Sequence, residues 1–195
     1  MNKTTSVIIA GVGGQGTILA GRLLGNVAMD AGMDVKVSEV HGMAQRGGSV
    51  VTYVRYGDKV LSPVTGPGEA DYLVSFELLE AARFTVMLRK GAVVICDSRK
   101  IPPAPVLIGN ENYPEDIAGR ISELGFRFYE IDALSIAEVA GFARAANIAL
   151  MGAFAALSGF SYETWQKSLK AVIAERYYEQ NSNAFAAGYE RVRSL

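Results

Sequence analysis

Cysteine and histidine are almost missing from this sequence: among 195 residues there is one of each, Cys96 and His41. A single thiol excludes an internal disulfide, and it excludes an iron–sulfur cluster held by four cysteines of this chain. A single imidazole with no second ligand beside it gives no metal-site pattern, so no metal is expected. An excess of charge of one sign is missing too. Nineteen Lys and Arg stand against twenty Asp and Glu, a net charge of −1, so no long-range field attracts nucleic acid or an anionic membrane. Long apolar runs are also absent: Ile148–Leu157, the longest, falls well short of the about 20 residues that span a bilayer. The segment after Lys3 has no apolar signal core and no cleavage site, and a cytoplasmic protein is expected.

What is present is a regular alternation of two periodicities. Half of the residues are hydrophobic, and the length suits a single domain, 1–195. Val7–Ala10 is fully apolar, as in a buried parallel strand. Leu19, Leu23, Leu24, Val27, Ala28 and Ala31 then recur at helical spacing, with Gly32 as the stop. Asp34–Val40 and Ser49–Tyr56 read as strands, and Gly57–Asp58 as the turn of a hairpin onto Lys59–Leu61. Tyr72–Phe76, Ala92–Cys96 and Phe126–Ile131 continue the strands. Between them lie a helix over Leu78–Arg89 and one starting at Pro114 and closed by Gly125. Pro102–Pro103–Ala104–Pro105 reads as a rigid connection. Ser135 and Glu138 form a capping-box pattern, with Ile136, Val139, Ala140 and Ala143 on one helical face. The remainder is helical: Ile148–Leu157, apolar all round, then Ser161–Arg176 striped by Trp165, Leu169, Val172 and Ile173, then Ala184–Val192. The fold class expected is a three-layer α/β/α protein. It has a mixed, mostly parallel sheet, a Rossmann-like N-terminal βα unit and a helical C-terminal third. Cys96 ends an apolar strand and reads as a buried packing thiol.

Two glycine-rich stretches stand out. "GVGGQG", Gly11–Gly16, joins the first strand to the first helix, where glycines let an anion approach the helix's unpaired N–H groups. The pattern formally satisfies G-x-G-x-x-G, and Glu39 lies about where a dinucleotide-binding fold places its ribose-holding acid. Yet the second strand runs on into Val40–His41–Gly42 instead of the usual loop. A P-loop is excluded because Thr17–Ile18 stands where Lys and Ser or Thr are required. The plainer alternative is that these glycines only permit a tight turn. The second stretch, His41–Gly42–Met43–Ala44–Gln45–Arg46–Gly47–Gly48–Ser49, offers amide and guanidinium donors between two strands. If the first two strands are parallel, it shares a sheet edge with the first stretch. His41 alone could equally be structural, and Arg46 a solvated surface residue. No nucleophile–base pair appears, so no catalytic residue is assigned.

"GVGGQG" followed by "SEVHGMAQRGGSV" resembles the gamma-type subunit or domain of the 2-oxoacid:ferredoxin oxidoreductases, and the resemblance extends over nearly the whole chain, including its length, strand order and helical last third. His41–Gly42–Met43–Ala44–Gln45 stands where pyruvate-type relatives carry a Tyr-Gly-Pro variant, which favours the branch acting on indolepyruvate and other arylpyruvates. The resemblance implies an accessory subunit in the oxidative decarboxylation of a 2-oxoacid, inactive alone. Carbon dioxide is released, the acyl group passes to coenzyme A and electrons pass to ferredoxin. It implies thiamine diphosphate and iron–sulfur clusters in a larger partner subunit, since this chain has neither a thiamine-type Gly-Asp-Gly nor the cysteines. The same resemblance assigns coenzyme A binding at the subunit boundary to Gly11, Gly13, Gly14, Gln15, Gly16, His41, Gly42, Met43, Gln45, Arg46, Gly47 and Gly48. Two other classes remain: a free-standing NAD-dependent oxidoreductase, and a scaffold whose glycine loops bind nothing.

Overall fold

The computed structural model describes residues 4–41 and 47–195. Six strands form one sheet: β1 (Thr4–Val12), β2 (Asp34–His41), β3 (Ser49–Gly57), β4 (Ala70–Ser75), β5 (Leu88–Asp97) and β6 (Arg127–Ile131). Their order across the sheet is β2-β3-β1-β4-β5-β6. β3 pairs antiparallel with both β1 and β2, while β1, β4, β5 and β6 are successively parallel. β1 and β2 therefore point the same way, and only β3 runs against the rest. The expected mixed, mostly parallel sheet is what forms.

Alternation along β1 assigns its side chains to two cores. Val7 and Ile9 join α1 (Thr17–Asp30), α5 (Ala133–Val139), α6 (Ala146–Ala155), α7 (Tyr162–Val172) and α8 (Glu175–Arg193) on one face. Ile8 and Ala10 face α2 (Leu78–Phe84) and α4 (Ile117–Glu123) on the other. α6 is buried along its length, as its all-round apolar sequence requires. Phe154 from α6 meets Trp165 of α7 edge-on with ring centres 5.9 Å apart, and the indole N–H donates to Ser158 Oγ at 3.1 Å. This larger core fixes the face from which α1 presents its N-terminus.

Several boundaries differ from the sequence reading, each for a local reason. The hairpin is β2–β3, joined through the second glycine stretch; Lys59–Leu61 forms no strand, because β1 and β2 already occupy both edges of β3. α2 ends at Phe84 and passes through a short 3-10 turn, Thr85–Met87, so that β5 starts at Leu88. α4 begins at Ile117 behind Asp116, whose carboxylate accepts from Gly119 N, three residues later than Pro114 suggested. α5 is capped by Asp132, which accepts from Ser135 N at 3.0 Å, so Ser135 lies inside the helix and Val139 is exposed. The Pro102–Pro105 stretch leads into one turn of helix, α3 (Ala104–Leu107). The helix expected over Ser161–Arg176 ends at Val172 with Ile173 extended, and α8 starts at Glu175, well before Ala184.

Candidate functional site

β1 ends at Val12 and α1 starts at Thr17, so four residues make the turn between strand and helix. Gly14 and Gly16 take positive φ values of 102° and 87°, which a Cβ-bearing residue rarely adopts. Gly16 is the N-cap and supplies no side-chain acceptor, and the first turn of α1 contains no acid. Among the described residues no side chain caps the first N–H groups of α1, so they are open to an outside acceptor. Gly16 also has a packing reason, since the Asn147 side-chain amide occupies the space a Cβ would need.

The second stretch comes to the same edge. His41 ends β2, and Gly47–Gly48 lead into β3, with Gly47 at φ 75°. Gly13 N donates to Gly48 O at 2.8 Å, so the two glycine stretches are hydrogen-bonded to each other. Between them opens a cleft of about 440 Å³, lined by Gly13, Gly14, Gly16, Thr17 and Ile18 on one side. Glu39, Val40, His41, Val50, Val51 and Thr52 line the other. The lining is largely apolar, with the bare start of α1 as its polar end. Gly42, Met43, Gln45 and Arg46 lie outside the described residues.

Two of the expected binding residues have other duties. A Cβ on Gly11 would stand 2.9 Å from Gln15 Oε1 and 3.3 Å from Phe76 Cβ, so this buried glycine serves packing. Gln15 accepts from Val12 N and donates to Phe76 O, both at 2.7 Å. Its amide thus bridges the ends of β1 and β4. That is the point where successive crossovers diverge to either side of the sheet and where open α/β sheets usually admit a ligand. Here the protein's own side chain fills it.

The same geometry weighs against the dinucleotide reading. Glu39 does line the cleft. In a dinucleotide fold, however, the acid sits on the strand next to β1, and here β3 is inserted between them. The insertion adds one strand spacing, about 4.8 Å, between the glycine turn and the acid. Strand order is a non-local property, so no motif or spacing announces the insertion. For the same reason Val50, Val51 and Thr52 join the lining unannounced, through the β2–β3 register that sets Glu39 opposite Thr52 and His41 opposite Val50, while Thr17 and Ile18 line it from the first turn of α1.

Behind the site lies a cluster of acids. Glu77 is buried and caps α2, accepting from Glu80 N at 2.8 Å, from Ile101 N at 3.0 Å and from the Tyr113 hydroxyl. Glu80, also buried, accepts from the Ser49 hydroxyl at 2.5 Å and lies 3.2 Å from an Arg83 nitrogen. Burial pushes the Glu80 carboxyl above its usual range, against the pull of Ser49 and Arg83. Burial likewise pushes the Cys96 thiol well up, with Asp97 adding to the effect. A fully buried thiol of this kind is a poor ligand for iron. Among the described residues, no three His, Cys, Asp or Glu side chains gather as a metal site. No helix among them is long and apolar enough to cross a membrane.

Fold and edge together define an α/β protein with a cleft at the carboxyl ends of its strands, between two glycine turns that are hydrogen-bonded to each other. Comparison with known proteins narrows the class: the chain belongs to the pyruvate ferredoxin/flavodoxin oxidoreductase family, which matches residues 6–191. The indolepyruvate oxidoreductase subunit IorB of Pyrococcus horikoshii is 39% identical over 99% of this chain and 98% of its own. Pyruvate synthase subunit PorC of Methanocaldococcus jannaschii is 27% identical over 93% of each. The gamma subunit of a keto/oxoacid ferredoxin oxidoreductase from Geobacter sulfurreducens superposes with a TM-score of 0.74 at 25% identity, covering 98% of this chain and 99% of that one.

Proposed function

We propose that this chain is the small subunit of a 2-oxoacid:ferredoxin oxidoreductase of the indolepyruvate type, a single domain working in the cytoplasm against a larger partner subunit. Its higher identity to an indolepyruvate subunit, 39%, than to a pyruvate subunit, 27%, supports the branch. The iron–sulfur clusters belong to the partner, since the one thiol here is sealed in the core, and thiamine diphosphate does too, since the sequence has no thiamine-type Gly-Asp-Gly. The chain's own contribution is the cleft, which completes the active-site wall and the coenzyme A entry, while electrons pass to ferredoxin through the partner's iron–sulfur clusters.

The observation that carries this assignment is the joined pair of glycine turns around one cleft, with an uncapped helix start at its end. A thioester-forming thiol on a long, phosphate-bearing carrier needs such a surface: an anion-accepting end and an extended, weakly polar trough. Among the described residues no side chain lies within 4 Å of the space a Cβ would take at Gly14, which leaves the backbone there open to a ligand. Coenzyme A, when bound, supplies the thiol that accepts the acyl group. The residues here orient it and exclude water, and no proton transfer is assigned to them.

Ile18→Glu tests the assignment with little risk to the fold. Ile18 is half exposed in the first turn of α1. An acid there complements the helix dipole by about 0.3–1 kcal/mol, but it puts a negative charge where an anion would bind. In the complex reconstituted with its larger subunit, KM for coenzyme A is expected to rise at least tenfold with assembly intact. An unchanged KM means the cleft takes no coenzyme A, and leaves a scaffold. Binding of NADH by the chain alone would instead support the dinucleotide reading.

A further inference from the structure

The buried carboxylate of Glu80 has no task in the fold that explains it. α2 is already capped by Glu77, which also ties the helix start to Ile101 and Tyr113. Burying a second carboxylate beside the first costs solvation and adds repulsion, and an apolar side chain of similar size would serve packing better. Among the described residues, the one side-chain hydrogen bond that Glu80 makes outside its own helix is to Ser49. Ser49 is the first residue of β3, directly after Gly47–Gly48. Although Ser49 as a whole is exposed, its hydroxyl turns in to Glu80 Oε2 at 2.5 Å. On the preceding residue, Gly48 O accepts from Gly13 N at 2.8 Å. Consecutive residues at the root of the second glycine stretch are therefore fastened from two sides, by β1 and by α2.

We propose that Glu80 is a positioning residue for the cleft: through the Ser49 hydroxyl it fixes the Gly47–Gly48 root, and through Gly48 it fixes the Gly13 peptide that lines the cleft. The side chain presents one acceptor oxygen to the Ser49 hydroxyl and the other to Arg83, which an apolar residue of that size cannot do. Arg83, outside the site, offsets the charge without competing for Ser49, because it meets the other carboxylate oxygen. The inference rests on the reading of the cleft given above.

Two readouts test it, one without catalysis. In the full chain, amide hydrogen exchange of Gly13 is expected to quicken at least tenfold in Ser49→Ala and in Glu80→Ala. The double variant should be no faster than either single one, because both remove the same fastening. In the reconstituted complex, the same variants should raise KM for coenzyme A by about five- to tenfold with kcat within twofold. Glu80→Gln, which keeps an acceptor for the hydroxyl, should recover most of the loss. Unchanged Gly13 exchange in Ser49→Ala overturns the proposal, as does exchange that quickens uniformly along β1 and β3, the mark of a merely structural bond. Additive effects of the two substitutions overturn it too. Should Glu80→Ala fail to fold, Ser49→Ala, a change at an exposed residue, still decides. Ile18→Glu separates the two readings: a raised KM there beside normal Ser49→Ala behaviour removes Glu80 from the site and keeps the cleft, whereas normal behaviour in both removes both.

Discussion

Two places in this molecule spend glycine for opposite purposes. Between α6 and α8, Gly152 and Gly188 let two helices lie against each other's backbone. A Cβ on Gly152 would overlap the carbonyl of Phe185, and a Cβ on Gly188 the carbonyl of Ala149. The two contacts are reciprocal, three residues apart on each helix, and both are buried in the larger core. In the turn after β1, by contrast, Gly14 has none of the described residues near its missing side chain, and its positive φ is what calls for glycine. The first pair is selected by what surrounds it. The second is selected by its backbone, and the space beside it is left open among the described residues. Gly16 combines the two demands, with a positive φ and the Asn147 amide at its Cβ position.

The comparison breaks most visibly at Gly188→Ala. The added methyl meets a helix backbone that cannot rotate away, so α8 must move off α6 along the whole contact. The expected cost is about 3 kcal/mol or more, a drop in melting temperature of about 6–12 °C for a chain of this length. Gly152→Ala should behave alike. Thermal and urea unfolding of the purified chain check both, and a loss under about 1 kcal/mol in either means the helices are not locked at these points.

Gly14→Ala should act the other way round. Its methyl enters open space, and the penalty is that of holding an alanine at φ 102°, about 1–3 kcal/mol. The turn can shed that strain by rotating a peptide, which keeps the fold but moves the N–H groups facing the cleft. A modest change in melting temperature with a clear rise in KM for coenzyme A is expected. A large stability loss with unaltered kinetics would make this glycine another packing residue.

How much of this was legible beforehand follows the same division. The apolar run Ile148–Leu157 announced burial, and the alternating strands and helices announced the layered sheet, because both are local periodicities that the packed structure merely uses. Both glycine stretches were visible as motifs, and the shared edge followed from β1 and β2 being parallel. What was not legible is pairing. Gly57–Asp58 has the composition of a hairpin turn, yet the strand beyond it had no free edge to join. Gln15 read as a ligand-facing residue within its motif, yet its amide closes the crevice between β1 and β4. The Glu80–Ser49 bond joins residues 31 apart on different elements, and no spacing rule connects them.

A third kind of glycine gives the smallest effect and reverses its sign. Gly25 lies inside α1, with neither a special backbone angle nor a clash: a Cβ there would sit 3.5 Å from Val37 Cγ2 and 3.9 Å from Val35 Cγ1, ordinary contact distances on the inner side of β2. Alanine in a helix interior is favoured over glycine by about 0.8–1.0 kcal/mol, mostly because the unfolded chain loses less freedom. The methyl would also cover part of Val37, which is 42% exposed. Gly25→Ala should therefore stabilise the chain by about 0.5–1 kcal/mol, a rise in melting temperature of about 1–4 °C. Gly25 does not line the cleft, so KM for coenzyme A should stay the same. If this substitution destabilises instead, α1 packs on β2 more tightly than these distances allow. The division of the glycines by surroundings and backbone would then fail at its simplest case.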